Sequence, residues 1–276
     1  MMKSLILLPF VLLFVSCAPT PETVKPLAPI VETKEMVFRH GHQLYVEQKY
    51  DSATMVLERA AAMDARYIAP LADLAEMYYF IGMHGGAEKS LQQLQALTRS
   101  REYCARIESL GSKDSDLLER LCELSDALDD DAAFLKYAKK NAEAYPYDRQ
   151  YFNLGLAYFK AGDYTNVIKT QKEAVEKFPS SPYIGSFYRQ LGRGYMKVDR
   201  DQTAEKIFIT GLQKVDSRIA DLKRTVSDPK SSVEYRRLVD DKIGMLTLLK
   251  KLHQTYKALE KLEQVERQLK EANASK

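Results

Sequence analysis

The side chains best able to do chemistry in these 276 residues are few and scattered. Cysteines stand at 17, 104 and 122, and there are 4 histidines. His40 and His42 are two apart, so on a helix they leave from different faces and do not share a metal ion. His84 comes soon after Gly82 and reads as a surface residue. Asp129–Asp131 is acidic enough for a cation, yet it lies between two helical stretches, where capping and solvation account for it. Gly192-Arg193-Gly194 is too short for a phosphate-binding loop, and no His-Glu-x-x-His or Cys-x-x-Cys occurs. No nucleophile has a base positioned beside it. These residues point to no enzyme, no cofactor and no metal. Cys104 and Cys122 are the one suggestive pair, because they are equally distant from Lys113 in the turn "GSKDS". If 101–110 and 115–128 are antiparallel helices, the two thiols lie at one height, and an oxidising compartment would favour a disulfide. Two buried free thiols are the alternative.

Composition sets the class. Apolar residues are 45% and charged residues 29% of the chain. The 41 basic and 38 acidic side chains leave a net charge of +3, too small to argue for nucleic acid. With 17 Tyr, 10 Phe and no Trp, tyrosine and phenylalanine carry much of the packing.

The elements that must position these residues are clearest from Tyr151 to Pro179, "YFNLGLAYFKAGDYTNVIKTQKEAVEKFP". It reads as two amphipathic helices with Gly162 between them. Gly155 lies inside the first, where glycine costs about 1 kcal/mol relative to alanine. The pattern recurs. Leu154, Gly155 and Tyr158 are matched by Leu191, Gly192 and Tyr195, followed by Ala204, Phe208 and Gly211. Upstream come Leu74, Ala75, Tyr78, Gly82, Ala87, Leu91 and Leu94, and before them Gly41, Leu44, Ala53, Leu57 and Ala60. Near the end stand Leu252, Tyr256, Val265, Leu269 and Ala272. A degenerate copy spans Leu117 to Pro146, with Ala133 or Phe134 at the inter-helix position. Gly41 to Ala75 is a step of 34 residues. The spacing resembles the tetratricopeptide repeat, from which Val167 and Gln171 depart. That resemblance implies an all-α solenoid of antiparallel helix pairs over residues 33–276. About six repeats are expected, with irregular segments near 99–115 and 216–245. It also implies that Gly155 and Gly192 are small because the two helices of a pair approach closely there.

The N-terminus is a separate object. Lys3 precedes an apolar run from Leu5 to Val15, shorter than the ~20 residues that span a bilayer and of the form of a secretory signal. "FVSCAP" resembles a bacterial lipobox. That implies a signal peptide over 1–16, lipidation of Cys17, and anchoring in the cell envelope, with Ala18 favouring the outer membrane and a periplasm-facing domain. Residues 17–32 hold four prolines and form an extended tether.

In related solenoids one face of each first helix lines a concave surface. Carried onto this chain, those positions are Phe38, His42, Tyr45, Glu76 and Tyr79, then Phe152, Leu156, Phe159 and Lys160, then Arg189, Arg193, Met196 and Lys197. The expectation is a groove that is aromatic toward its N-terminal end and basic beyond its middle, taking a ligand with an apolar segment followed by acidic residues. Alternatively, Arg189 and Arg193 pair with carboxylates on a neighbouring helix. "EKFPSSPYIGSFYRQLGRGYMK" also resembles repeats of envelope-assembly lipoproteins. The reading is a membrane-anchored, non-enzymatic scaffold for protein or peptide partners in the envelope. A glycan- or peptidoglycan-binding accessory module for an envelope enzyme is the alternative.

Overall fold

A computed structural model describes residues 31–84 and 89–275. The signal sequence, Cys17, most of the tether and Ala87 lie outside the described residues. Those described form helices and connecting turns, with no strand among them. The chain runs α1 (Lys34–Val46), α2 (Tyr50–Met63), α3 (Ile68–Met83), α4 (Leu91–Ser109), α5 (Ser115–Ala127) and α6 (Asp131–Ala144). It continues through α7 (Asp148–Lys160), α8 (Tyr164–Lys177), α9 (Ile184–Lys197), α10 (Asp201–Thr225), α11 (Val233–Thr255) and α12 (Leu259–Ala274). These are six pairs, each packed on the next, and first helices also approach one another, as α1 does α3 and α9 does α7 and α11. The architecture is an all-α, tetratricopeptide-like solenoid.

The turns inside the pairs share one device. Gln48, Asp129, Gly162, Asp199 and Lys257 each take a positive φ, between 53° and 75°. In three pairs this residue stands seven positions beyond the repeat glycine: Gln48 beyond Gly41, Gly162 beyond Gly155, and Asp199 beyond Gly192. A left-handed residue reverses the chain after the last helical turn. Glycine does so without strain; the other four accept a Cβ there. The next helix is then capped. The side chains of Asp130 and Asp163 accept hydrogen bonds from the backbone N–H of Ala133 and Asn166, and Ser90 and Gln93 form a capping box at α4. Asp129–Asp131 is thus a turn, a cap and a first helical residue.

This rule resolves the degenerate third pair. Counting back from Asp129 places Cys122 where Gly155 and Gly192 stand in their pairs. Counting on makes Phe134, 3% exposed, the inter-helix residue, not Ala133. In the sixth pair the same count puts Lys250 at the glycine position, where it forms an ion pair with Glu266 at 2.8 Å.

The irregular segments are helix extensions. The expected separate helix at 101–110 is the C-terminal half of the 19-residue α4. In the second pair Ser100 Oγ donates to the Ala75 carbonyl at 2.7 Å. Ser100 is 25 residues beyond Ala75, whereas Leu57, Gln171 and Phe208 are 16 beyond their glycines, so nine extra residues are shared among α3, its connection to α4 and the start of α4. Leu91 and Leu94, expected to face inward, are therefore exposed, and Ala96, Leu97, Ser100 and Cys104 are buried in their place. The second irregularity lengthens α10 to 25 residues and α11 to 23, with a single 3-10 turn at Pro229–Ser231 in the expected loop. Tyr256, expected to pack inward, is 63% exposed at the end of α11, where its hydroxyl donates to Asp201.

The close approach at the repeat glycines is real. A Cβ on Gly192 would lie 2.6 Å from Cδ1 of Phe208, and one on Gly41 2.8 Å from Leu57. At Gly155 the occupant is the Gln171 amide, which donates to the Tyr151 carbonyl and to Gln190 Oε1, both at 3.1 Å. Gln171 departs from the repeat pattern because the space beside Gly155 holds a buried amide pair instead of an apolar side chain. Leu191, Gly192, Tyr195 and Ala204 are buried, while Leu154 and Tyr158 are half-buried.

Candidate functional site

The inner surface is built by side chains that bridge successive first helices. Amphipathic periodicity turns one stripe of each first helix toward its own second helix. The adjoining stripe holds the thirteen expected groove residues, and His42, Glu76, Phe159, Lys160, Arg189 and Arg193 among them reach a neighbouring first helix.

At the N-terminal end the rings of Phe38, His42 and Tyr45 follow one another along α1 at 5.7 and 6.2 Å. His42 Nδ1 lies 2.7 Å from Asp73 of α3. Between α3, α5 and α7 the surface is a charge ladder. Arg120 lies over the Tyr79 ring at 3.4 Å and pairs with Glu76 at 3.2 Å. The Tyr79 hydroxyl donates to Glu123 at 3.0 Å, and burial together with that carboxylate pushes its pKa up. Arg149 bridges Glu119 and Glu123, and Lys160 pairs with Asp126 at 2.5 Å. Each of these three cations meets at least one carboxylate. Sequence reasoning missed Glu119, Arg120, Glu123 and Asp126, because the third pair carries almost none of the repeat signature, and with them Arg149 of α7, whose partners they are. The left-handed turn at Asp129 would have placed α5, but an aspartate there gives little warning of it.

Between α7, α9 and α11 the chemistry changes. Phe152 stacks on Tyr183 at 5.2 Å, and the Arg237 guanidinium of α11 lies 4.1 Å from the Tyr183 ring centre. Arg193 lies 3.9 Å from the Phe159 ring centre, and Lys197 5.8 Å from that of Tyr164. Leu156 and Met196 fill the half-exposed surface between them. Arg189 is different. It pairs at 3.2 Å with Asp241 of α11, a residue only 1% exposed that also accepts a 2.6 Å hydrogen bond from Ser186. Burial pushes the Asp241 carboxyl up from its ordinary range, while the Arg189 charge opposes that rise. Gly244 leaves the space that Arg189 occupies, since a Cβ there would lie 2.8 Å from its Cδ. Arg189 thus takes the alternative expected for it, pairing on a neighbouring helix, whereas Arg193 meets a ring and no carboxylate.

Cys104 and Cys122 are buried free thiols in one core cluster. Of the two arrangements left open by the spacing, this is the pair of free thiols. Cys122 stands at the repeat-glycine position facing its own second helix, and Cys104 at a core position of α4, so each fills a packing site of its own pair. Burial pushes Cys104 up to about 11 and Cys122 up to about 12, which keeps both protonated and poorly nucleophilic. Among the described residues no helix is long and apolar enough to cross a membrane.

No family model and no curated protein matches the sequence. Solved structures do match the fold. A crystal structure of the MamA protein superposes with a TM-score of 0.53 at 18% identity, covering 68% of this chain and 94% of that one. YrrB, described as a TPR protein with an unusual peptide-binding site, gives 0.51 at 12% identity, covering 65% and 84%. A MamA RS-1 double mutant gives 0.50 at 18%, covering 71% and 99%. At such identities the likeness is one of fold: the chain is a tetratricopeptide-like repeat protein.

Proposed function

We propose that this chain is a non-enzymatic scaffold that holds a protein or peptide partner on the inner surface of its solenoid, tethered to a bacterial envelope membrane through lipidated Cys17. The observation that carries the reading is the set of half-exposed aromatic and apolar side chains — Phe38, Tyr45, Tyr79, Phe152, Leu156 and Phe159 — presented by the first helices α1, α3 and α7. Repeat solenoids offer such surfaces to extended or helical segments. The peptide-binding site named for YrrB supports the same reading at the level of fold. A glycan would need open ring faces. Here Arg120, Arg193 and Arg237 already cover Tyr79, Phe159 and Tyr183, which favours a peptide. The sequence "FVSCAP" and the proline-rich stretch after it support the anchor and the outer-membrane, periplasm-facing location.

Two experiments test this. A photo-crosslinking amino acid placed at Tyr79 or Phe159 in living cells should trap a discrete partner, while one at Met55, 74% exposed on α2, should not. Equal trapping from all three positions would count against the groove. Separately, Cys17→Ser should abolish palmitate labelling, and labelling that persists would remove the anchor.

A further inference from the structure

The groove reading leaves open what chemistry the partner presents, and the inference that follows rests on that reading. Among the groove cations, Arg120, Arg149, Lys160 and Arg189 each have a carboxylate partner. Arg193 is half-buried on the same surface and has a ring beneath it instead. Burial, together with the like charge of Arg189 one turn back on the same helix, pushes the Arg193 pKa down. Asp241 offers no relief, because it is buried and already held by Arg189 and Ser186. A half-desolvated cation beside another cation is unfavourable unless an anion completes it.

The stacking geometry shows how an anion would be received. A guanidinium laid flat on a ring keeps its N–H donors in its own plane, pointing away from the ring edge. Arg193 over Phe159 and Arg237 over Tyr183 are close enough to stack so, with the guanidinium carbon 3.9 and 4.1 Å from the ring centre. Phe159 is itself packed edge-on against Tyr164, and Tyr183 is stacked on Phe152, so the rings are fixed supports. Lys197 over Tyr164 adds a third positive charge at the open end of α9. The result is a stripe of cations backed by aromatic rings, without an ion-pair partner among the described residues.

We propose that this stripe binds the side-chain carboxylates of an acidic segment in the partner protein, with Arg193 as the central contact, Arg237 farther along toward the start of α9, and the half-exposed Phe152, Leu156 and Met196 packing the segment's apolar side chains. Arg189 is a positioning residue. Locked to Asp241, it sets the positive field around Arg193 without touching the ligand.

The test is a selection of random twelve-residue peptides, displayed on phage, against the full chain in detergent micelles. The selected peptides should be enriched in Asp and Glu over the input library. Their affinity, read by fluorescence polarisation, should fall roughly tenfold or more when Arg193→Gln and Arg237→Gln are combined. Arg193→Lys keeps the charge but loses the planar fork, and should retain part of the binding. Arg237→Gln alone gives a second, milder variant if the double one unfolds. Peptides selected without an acidic excess, or acidic peptides bound equally by the double variant, overturn the acid site and leave the groove reading standing. If the chain yields no binder that competes with crosslinking from Phe159, both readings fall together.

Discussion

The middle of the inner surface, from α3 to α7, and its C-terminal part, from α7 to α11, are built from the same repeat yet differ in how they treat charge. In the middle, cations and carboxylates alternate, so that Arg120, Arg149 and Lys160 are neutralised within the chain. Toward the C-terminus, Arg193, Lys197 and Arg237 rest on rings, and Asp241 is buried and committed to Arg189. The middle can hold the solenoid's inner wall together but has little charge left for a ligand. The C-terminal part does the reverse. The difference comes from two helices: α5 supplies Glu119, Glu123 and Asp126, whereas α11 faces the groove with Arg237, Gly244 and one buried aspartate.

Substitutions in the two parts test this contrast. The largest effect should come from Gly192→Leu, which drives a side chain into the Phe208 ring across the contact that sets the geometry of the C-terminal part. Overpacking of this kind should cost about 3 kcal/mol, seen as a large fall in Tm. Unchanged stability would mean that α9 and α10 can separate freely. Next, Asp241→Ala leaves Arg189 and Ser186 without their partner. With Arg189 about a third exposed, we expect a loss of about 2 kcal/mol in chemical denaturation. Asp241→Asn should lose less, because it retains an acceptor for Ser186 and removes a carboxylate whose ionisation burial already disfavours.

In the middle, Arg120→Gln removes a partly exposed ion pair with Glu76 and the contact over Tyr79, and should cost about 1 kcal/mol, less at high salt. The smallest effect should be that of Arg193→Gln, within about 0.5 kcal/mol of the parent in either direction, because a cation facing another cation is lost. If Arg193→Gln destabilised the chain as much as Arg120→Gln, the division between a structural and a ligand-facing half would fail. The thiols give a further check: both should resist alkylation in the folded chain and react once it is unfolded, since each is buried and protonated.

Much of the fold is legible in the residues themselves. Gly155 and Gly192, with Leu, Tyr and Ala at fixed offsets, state that two helices pack closely and that the unit recurs. A glycine inside a helix weakens that helix, and close contact with a second helix is what offsets the loss. Pro179, Gly162 and the serine and proline near 227–232 mark ends that the structure also has. The aromatic groove positions on α1 and α7 follow from the same periodicity. What the residues do not announce is whatever depends on a partner far along the chain. The nine extra residues between Ala75 and Ser100 move the buried face of α4 from Leu91 and Leu94 to Ala96, Leu97 and Ser100, and only packing against Ala75 reveals the shift. Four of the five left-handed turn residues are not glycine, so local propensity hides them and with them the register of the third and sixth pairs. Cys104 and Cys122 look like partners by symmetry of spacing, but spacing along the chain says nothing of which helix each side chain faces. The charge of Arg189 and Arg193 is plain in the sequence. That one is held by a buried aspartate 52 positions away while the other lies on a ring is decided by the tertiary structure alone, because an ion pair depends on distance and burial and neither is written in residue order.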